Sequence, residues 1–382
     1  MDFELPGELK LLRDMVRDFV KKALLPLEDR VEEADDVAPD LLRELRVQAR
    51  DLGLLGLCIP KECGGAGMGM LANCVVREEL GRTSLAMSYT VRGPSPILSL
   101  GTAEQRERYL APCLRAEKRD CFSLTEPNAG SDAAAIQTTA VRDGDDFILN
   151  GTKIFVTDGV KADFVIVFAV TDKEKRARGG ITAFLVDKGT PGFEVGSVFK
   201  KMGWRGTDLA ELVFTGCRVS AAQVLGEVGQ GFTLAMKWID TGRLGIASAA
   251  LGTAERLLEM ATGYAGQRET FGRRLAERQA IQWMIADSAT ELKAARLLVH
   301  QAAWSGVQGR DTRQAAAMAK LYATEMVGRV SDRALQIHGG MGYMKDLPIE
   351  RMYRDVRYTR IAEGTSEILR FLIARGILKG GG

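Results

Sequence analysis

The sequence predicts an α+β multidomain protein, with an N-terminal helical domain over residues 1–118, a middle antiparallel, barrel-like β domain over 119–227 and a C-terminal helical bundle over 228–382. Three observations carry this expectation. Apolar residues recur at helical spacing in the first and last regions. Short β-branched and aromatic runs separated by turn dipeptides fill the middle. The length of 382 residues exceeds what one ordinary core accommodates.

In chain order, Leu9, Leu12, Val16, Phe19 and Ala23 form the stripe of a helix that packs one face and that Pro26 ends. Residues 40–55, 71–80 and 103–114 show similar spacing, broken by the turn Cys63-Gly-Gly-Ala-Gly-Met68 and by Pro94 and Pro96. From about Phe122 the texture changes, and 147–149, 154–157, 164–168, 182–186 and 212–214 read as strands. Asp143-Gly144 and Asn150-Gly151 lie between them and supply the positive φ that tight hairpins need. Short strands joined by tight turns, with no long helix between, predict an antiparallel sheet or small barrel. Beyond Gly231, Ile281, Met284, Ile285, Ser288, Leu292, Ala295 and Val299 line one helix face. Residues 315–330 and 366–373 are strong helix formers flanking the glycine-rich turn Gln336-Ile-His-Gly-Gly-Met-Gly-Tyr343.

The charge balance excludes one class of partner. With 52 basic and 50 acidic residues interspersed, the net charge is +2 and no electrostatic footprint for nucleic acid exists. The six cysteines have no CxxC pairing and only two histidines accompany them, so a zinc or other metal site is not expected. Their scatter fits reduced thiols rather than a disulfide framework. The acidic start Met1-Asp-Phe-Glu-Leu-Pro6 is unlike a signal peptide, and no apolar run reaches spanning length. The expectation is a cytoplasmic protein without membrane insertion.

Two segments carry chemistry. Glu363, within Ile361-Ala-Glu-Gly-Thr-Ser-Glu-Ile-Leu-Arg370, is a carboxylate between apolar neighbours and a glycine turn, placed like a base. Far upstream, Phe122-Ser-Leu-Thr-Glu-Pro-Asn-Ala-Gly-Ser-Asp132 is a hydroxyl-rich loop able to ring a polar ligand with backbone and side chains. Further motifs are Phe155-Val-Thr157, Lys201-Met-Gly-Trp-Arg-Gly-Thr-Asp208, Asp240-Thr-Gly-Arg243, Arg268-Glu-Thr-Phe-Gly272 with Gln279, and the 336–340 turn. An arginine and glycines that permit close backbone approach suit a diphosphate. The G-x-G-x-x-G fingerprint of a Rossmann-type site after an early strand is missing.

In this order the motifs resemble the acyl-CoA dehydrogenase family along essentially the whole chain, with its helical, β and four-helix-bundle layout. The resemblance implies FAD as cofactor, held by Phe122, Leu124, Thr125, Gly130, Ser131, Phe155, Thr157, Arg268, Phe271, Gln279, Gln336, Gly339, Gly340, Thr365 and Glu367. Some of the diphosphate and adenine contacts come from a neighbouring subunit in the family. It implies substrate contacts at Ser131, Asp240, Arg243 and Gly364, and Glu363 as the catalytic base. Two departures matter. Ala362 stands where members often carry Tyr, and Gly242 stands where a minority subtype carries its base, so the base role stays with Glu363. Arg92 approaches the acyl end by resemblance and is a candidate partner for a carboxylated acyl chain.

The implied reaction is α,β-dehydrogenation of an acyl-CoA thioester to a trans-2-enoyl-CoA, as in fatty acid β-oxidation, by a homotetramer that passes electrons to electron-transfer flavoprotein. The hydride acceptor is the cofactor's contribution, because no side chain can accept hydride. For Glu363, burial raises the pKa, whereas the N-terminus of the following helix, capped by Thr365 or Ser366, lowers it; burial is expected to win once substrate expels water. Alternatives are an acyl-CoA oxidase or flavin monooxygenase of the same fold, and a non-catalytic helical scaffold. The retained carboxylate and cofactor loops favour the dehydrogenase.

Overall fold

Helix α1 (Gly7–Phe19) starts after Pro6 and buries Leu9, Val16 and Phe19. Pro26 does not end the helical path. The chain passes through a wider turn at Val20–Leu24 and a tighter one at Leu25–Leu27 into α2 (Glu28–Ala34). Pro26 falls in the first turn of a helical segment, where its missing N–H is not needed. Helices α3 (Pro39–Asp51), α4 (Gly69–Leu80) and α5 (Leu85–Thr90) complete a core around Val16, Leu24, Leu45, Ala49 and Val75. The computed structural model describes residues 4–380. The start of the acidic N-terminal motif (Met1 to Phe3) and the terminal Gly381 and Gly382 lie outside the described residues.

The middle region is a sheet of eight strands: β1 (Asp120–Ser123), β2 (Thr139–Asp143), β3 (Asp146–Thr157), β4 (Phe164–Val170), β5 (Ile181–Asp187), β6 (Phe193–Val198), β7 (Leu209–Ser220) and β8 (Val224–Leu225). The expected antiparallel, barrel-like domain is corrected on both counts. The path β6-β7-β3-β2-β4-β5-β8 does not close, and β1 and β2 both run parallel to β4. A long excursion through 124–163 separates β1 from β4, so the parallel pair was invisible to a reading built on tight turns. Every residue of β4 is buried. Phe164, Ile166, Phe168 and Val170 enter one core and Val165, Val167 and Ala169 another, so both faces are covered and closure is not needed to hide them. Asp143-Gly144 makes the expected β2–β3 hairpin, with Gly144 at φ +62°. Asn150-Gly151 does not. It is a bulge inside the continuous β3, opposite β7.

Three long helices follow, α6 (Gly231–Gln267), α7 (Gln279–Val307) and α8 (Arg313–His338), with α9 (Ile349–Arg357) and α10 (Ser366–Leu378). Small side chains such as Ala254, Ala295, Ala302, Ala316, Ala319 and Ala323 let the long helices approach closely. Helix α6 also packs against α4, β4 and β5 and so joins all three regions. Among the described residues, no helix is long and apolar enough to cross a membrane.

Candidate active site

A cavity of about 1840 Å³ opens where the three regions meet. Its walls come from α4, α5, the loop after β1, the end of β3, the first half of α6 and the segment leading into α10. Single-ligand pockets hold roughly 300–1,000 Å³. There is room here for two bound molecules side by side.

Glu363 sits in this cavity on a sharply turned backbone, at φ +53° with Gly364 at +99°. A non-glycine residue in that conformation costs about 1–2 kcal/mol, so something must hold it there. Two cations do. Lys320 Nζ donates to the carbonyls of Ala362 (2.7 Å) and Gly364 (2.6 Å), and Arg243 Nε donates to the carbonyl of Glu363 (3.2 Å). Three consecutive carbonyls are thus pinned from α8 and α6. Arg243 is oriented in turn by Asp240, which accepts from its Nη1 at 2.7 Å. Thr365 is the N-cap of α10, accepting from Ile368 N–H, while Ser366 donates to Glu325.

The carboxylate itself is left without a partner. Glu363 Oε2 is shut off from solvent with no hydrogen bond, and burial pushes the group up to about 7, against the opposing pull of Lys320, Arg77 and Arg243. Burial likewise lowers Lys320 to about 8. The glutamate lies directly on α6 at Gly242, where a Cβ would come within 2.1 Å of Oε2. The position considered as an alternative base is therefore the floor on which Glu363 rests.

The opposite wall belongs to the sheet. A register shift between Lys153 and Val156 puts Phe155 at φ +56° and turns its ring onto the cavity, 56% exposed. Leu124, Thr125, Gly130, Ser131 and Thr157 line the same cavity, as do Phe122, stacked on Trp238 at 4.1 Å, and Asp240, Arg243, Gly364 and Thr365. The loop after β1 is tied down by the fully buried Lys153, whose Nζ donates to Leu124 O (3.0 Å) and Glu126 Oε1 (2.7 Å). Gly130 has open space where a Cβ would stand. An apolar wall with an exposed aromatic ring, threonine hydroxyls and open glycine backbone fits a tricyclic ring system with a polar tail, as FAD requires.

Other expected residues are not brought to the cavity within one chain. Arg268 and Phe271 lie at a β-hairpin after α6, with Phe271 97% exposed at its tip, and Gln279 starts α7. Gln336 lies in the last turn of α8, Gly339 caps it, Gly340 opens the short helical turn that follows, and Glu367 is exposed in the first turn of α10. Arg92 lines the cavity but is paired with Asp120 (3.1 Å) and Asp158 (3.5 Å), so its charge is already met. The sequence reading missed Lys320 and Arg77. The signal was there for Lys320, a cation on the apolar stripe of Ala316, Ala319, Ala323 and Val327.

The helical–β–helical order, with a carboxylate facing the sheet across one cleft, defines the class of protein to which the chain is to be compared. Family descriptions match in order: acyl-CoA dehydrogenase N-terminal domain over 6–117, middle domain over 121–217 and C-terminal domain over 229–378. The chain belongs to the acyl-CoA dehydrogenase family. It is 42% identical to acryloyl-CoA reductase (NADH) of Anaerotignum propionicum, covering 99% of this chain and 96% of that one. The butyryl-CoA dehydrogenase structure from Megasphaera elsdenii superposes with a TM-score of 0.93 at 38% identity, covering 99% of this chain and 100% of the other. A chain in a structure reported for the electron transferring flavoprotein of Acidaminococcus fermentans superposes at 0.93 with 40% identity, covering 99% and 100%.

Proposed function

We propose that the protein is an FAD-dependent acyl-CoA dehydrogenase in which Glu363 removes the proton from the carbon beside the thioester carbonyl, giving a trans-2-enoyl-CoA. The observation that carries this is the carboxylate of Glu363 on the cavity wall, without a hydrogen-bond partner among the described residues and raised by burial to about 7. A base tuned near neutral pH is deprotonated often enough to act and basic enough to pull a weakly acidic C–H proton. Bound FAD supplies the hydride acceptor that the side chains lack.

The remaining roles fall to the chain. The N–H of Glu363 has no backbone acceptor among the described residues and is free to donate to a thioester oxygen as negative charge develops there. Thr125, Thr157, Phe155, Phe122, Leu124, Gly130, Ser131 and Thr365, all of which line the cavity, would hold the cofactor. Asp240, Arg243, Ser131 and Gly364 hold the thioester. The same carboxyl, once protonated, returns its proton in the reverse direction, the sense in which the Anaerotignum relative is named.

Arg268, Phe271, Gln279, Gln336, Gly339, Gly340 and Glu367 reach cofactor in a homotetramer, from which each cavity receives part of its rim from a neighbour. An apolar ring 97% exposed at a hairpin tip supports such a contact. Electrons leave to electron-transfer flavoprotein. The six free thiols support a cytoplasmic location.

The test is optical. Purified protein is expected to be yellow, to bleach anaerobically with an acyl-CoA, and to reoxidise slowly in air but quickly with electron-transfer flavoprotein. Colourless protein that takes up no FAD overturns the proposal, and rapid hydrogen peroxide production transfers it to the oxidase.

A further inference from the structure

The α4 wall of the cavity presents Asn73, Val76, Arg77 and Leu80, one helix face at spacings of three and four. Arg77 differs from the other cations nearby. Arg92 is met by Asp120 and Asp158, Arg243 by Asp240, and Lys320 by two carbonyls. Arg77 makes no side-chain hydrogen bond or ion pair among the described residues; charges act on it only through space, Arg92 unfavourably and Glu363 favourably. Its nitrogens are not sealed into the protein as Arg92 Nε, Arg46 Nε and Arg119 Nε are. They face the cavity. Asn73, one turn earlier, engages only the Met70 sulfur.

Burial lowers the Arg77 pKa below the usual arginine value, a sign of how far water has been withdrawn. A withdrawn cation without a counter-ion is costly, and a guanidinium's planar fork matches a carboxylate. Glu363 is not that counter-ion, because no contact within ion-pair distance joins them. The open position belongs to the ligand.

We propose that Arg77 binds a carboxylate at the far end of the acyl chain, so that the preferred substrates are CoA thioesters of dicarboxylic acids. This rests on the dehydrogenase reading and moves the carboxylate-binding role from Arg92, whose charge is spent within the protein, to the helix that faces it.

The experiment compares, on the FAD-loaded enzyme, anaerobic flavin bleaching by glutaryl- and adipyl-CoA with that by butyryl- and hexanoyl-CoA. The wild type is expected to favour the carboxylated thioesters in kcat/KM, and Arg77→Met to lower the carboxylated-to-plain ratio roughly 100-fold, with Arg77→Lys between. Calorimetric binding of glutaryl-CoA to Glu363→Gln holoenzyme, with and without Arg77→Met, reads the same contact without turnover and is expected to show the same loss. A wild type that is indifferent to the carboxylate, or prefers plain chains, overturns the proposal even if Arg77→Met does not fold. Equal losses on both substrate types overturn it too and leave Arg77 a tuner of Glu363. Failure of every thioester to bleach the flavin sinks the dehydrogenase reading itself, and the two failures are therefore distinct.

Discussion

Glu28 and Glu363 are both carboxylates inside the molecule, in opposite surroundings. Glu28, 3% exposed, accepts from Thr83 Oγ1 (2.8 Å), Ser84 N–H (2.6 Å), Arg256 (2.7 and 3.0 Å) and Arg351 (2.9 Å). It ties α2 to the start of α5, to α6 and to α9. Of the cations around Glu363, Lys320 and Arg243 spend their hydrogen bonds on its backbone turn and on Asp240, Arg77 makes none among the described residues, and Oε2 receives none. One carboxylate is saturated and serves as a rivet. The other is desolvated without compensation, and the protein spends Lys320 and Arg243 on fixing where it points. Burial alone does not mark a reactive group; burial without donors does.

Substitution at the two positions should therefore fail in opposite ways. Glu363→Gln removes the base and is expected to slow anaerobic flavin reduction by about 10²–10⁴-fold. Flavin content should persist and thermal stability should hold or rise, because a neutral amide is cheaper to bury there. Glu28→Gln removes the only carboxylate paired with Arg256 among the described residues and leaves Arg351 only the exposed Asp29, and is expected to cost about 3–5 kcal/mol in denaturant unfolding. The flavin that remains bound should still be reduced at nearly the normal rate. An unchanged unfolding midpoint for Glu28→Gln, or normal turnover by Glu363→Gln, would erase the contrast.

The contrast was only half legible in the sequence. Glu363 could be read because a glycine follows it and a capping Thr365 begins the next helix, signals that lie within a few residues. Thr125, Phe155 and Thr157, which line the same cavity, could be singled out by company alone, since each by itself reads as an ordinary turn or strand residue and only the order of the motifs along the chain promotes it. Lys320 carried a signal, as a cation on an apolar helix stripe, but its role could not be assigned, because it depends on carbonyls 42 and 44 residues away. Arg92 looked like the acyl-chain cation only because Asp120 and Asp158 become its neighbours through folding. The sheet obeys the same limit. The β2–β3 hairpin was announced by Asp143-Gly144, whereas the parallel partnership of β1 with β4 has no local signature, and a bulge and a hairpin turn both present themselves as Asn-Gly.

A smaller change sharpens the comparison from the side of the floor. Gly242→Ala places a methyl group 2.1 Å from Oε2, too close for the carboxylate to stay. Misplacement of a catalytic group by about 1 Å can cost roughly 100-fold. The expected result is a loss of that order in flavin reduction at normal flavin content. Wild-type rates would show that the carboxylate works from another position.

The smallest effect is the most diagnostic of what the cations do. In the wild type the rate of flavin reduction should climb as pH rises through about 7, where Glu363 becomes deprotonated. Lys320 is the largest charge opposing the effect of burial on Glu363, so Lys320→Met removes the strongest pull toward the ionised form and should raise the glutamate's pKa further. The ascending limb then moves to roughly pH 8. The rate falls several-fold near neutrality and recovers on the alkaline side. If Lys320 served only to hold the carbonyls of Ala362 and Gly364, its loss would depress the rate at every pH and leave the limb where it was. A shift with recovery assigns the lysine to the electrostatics of the base, and a uniform loss assigns it to the backbone alone.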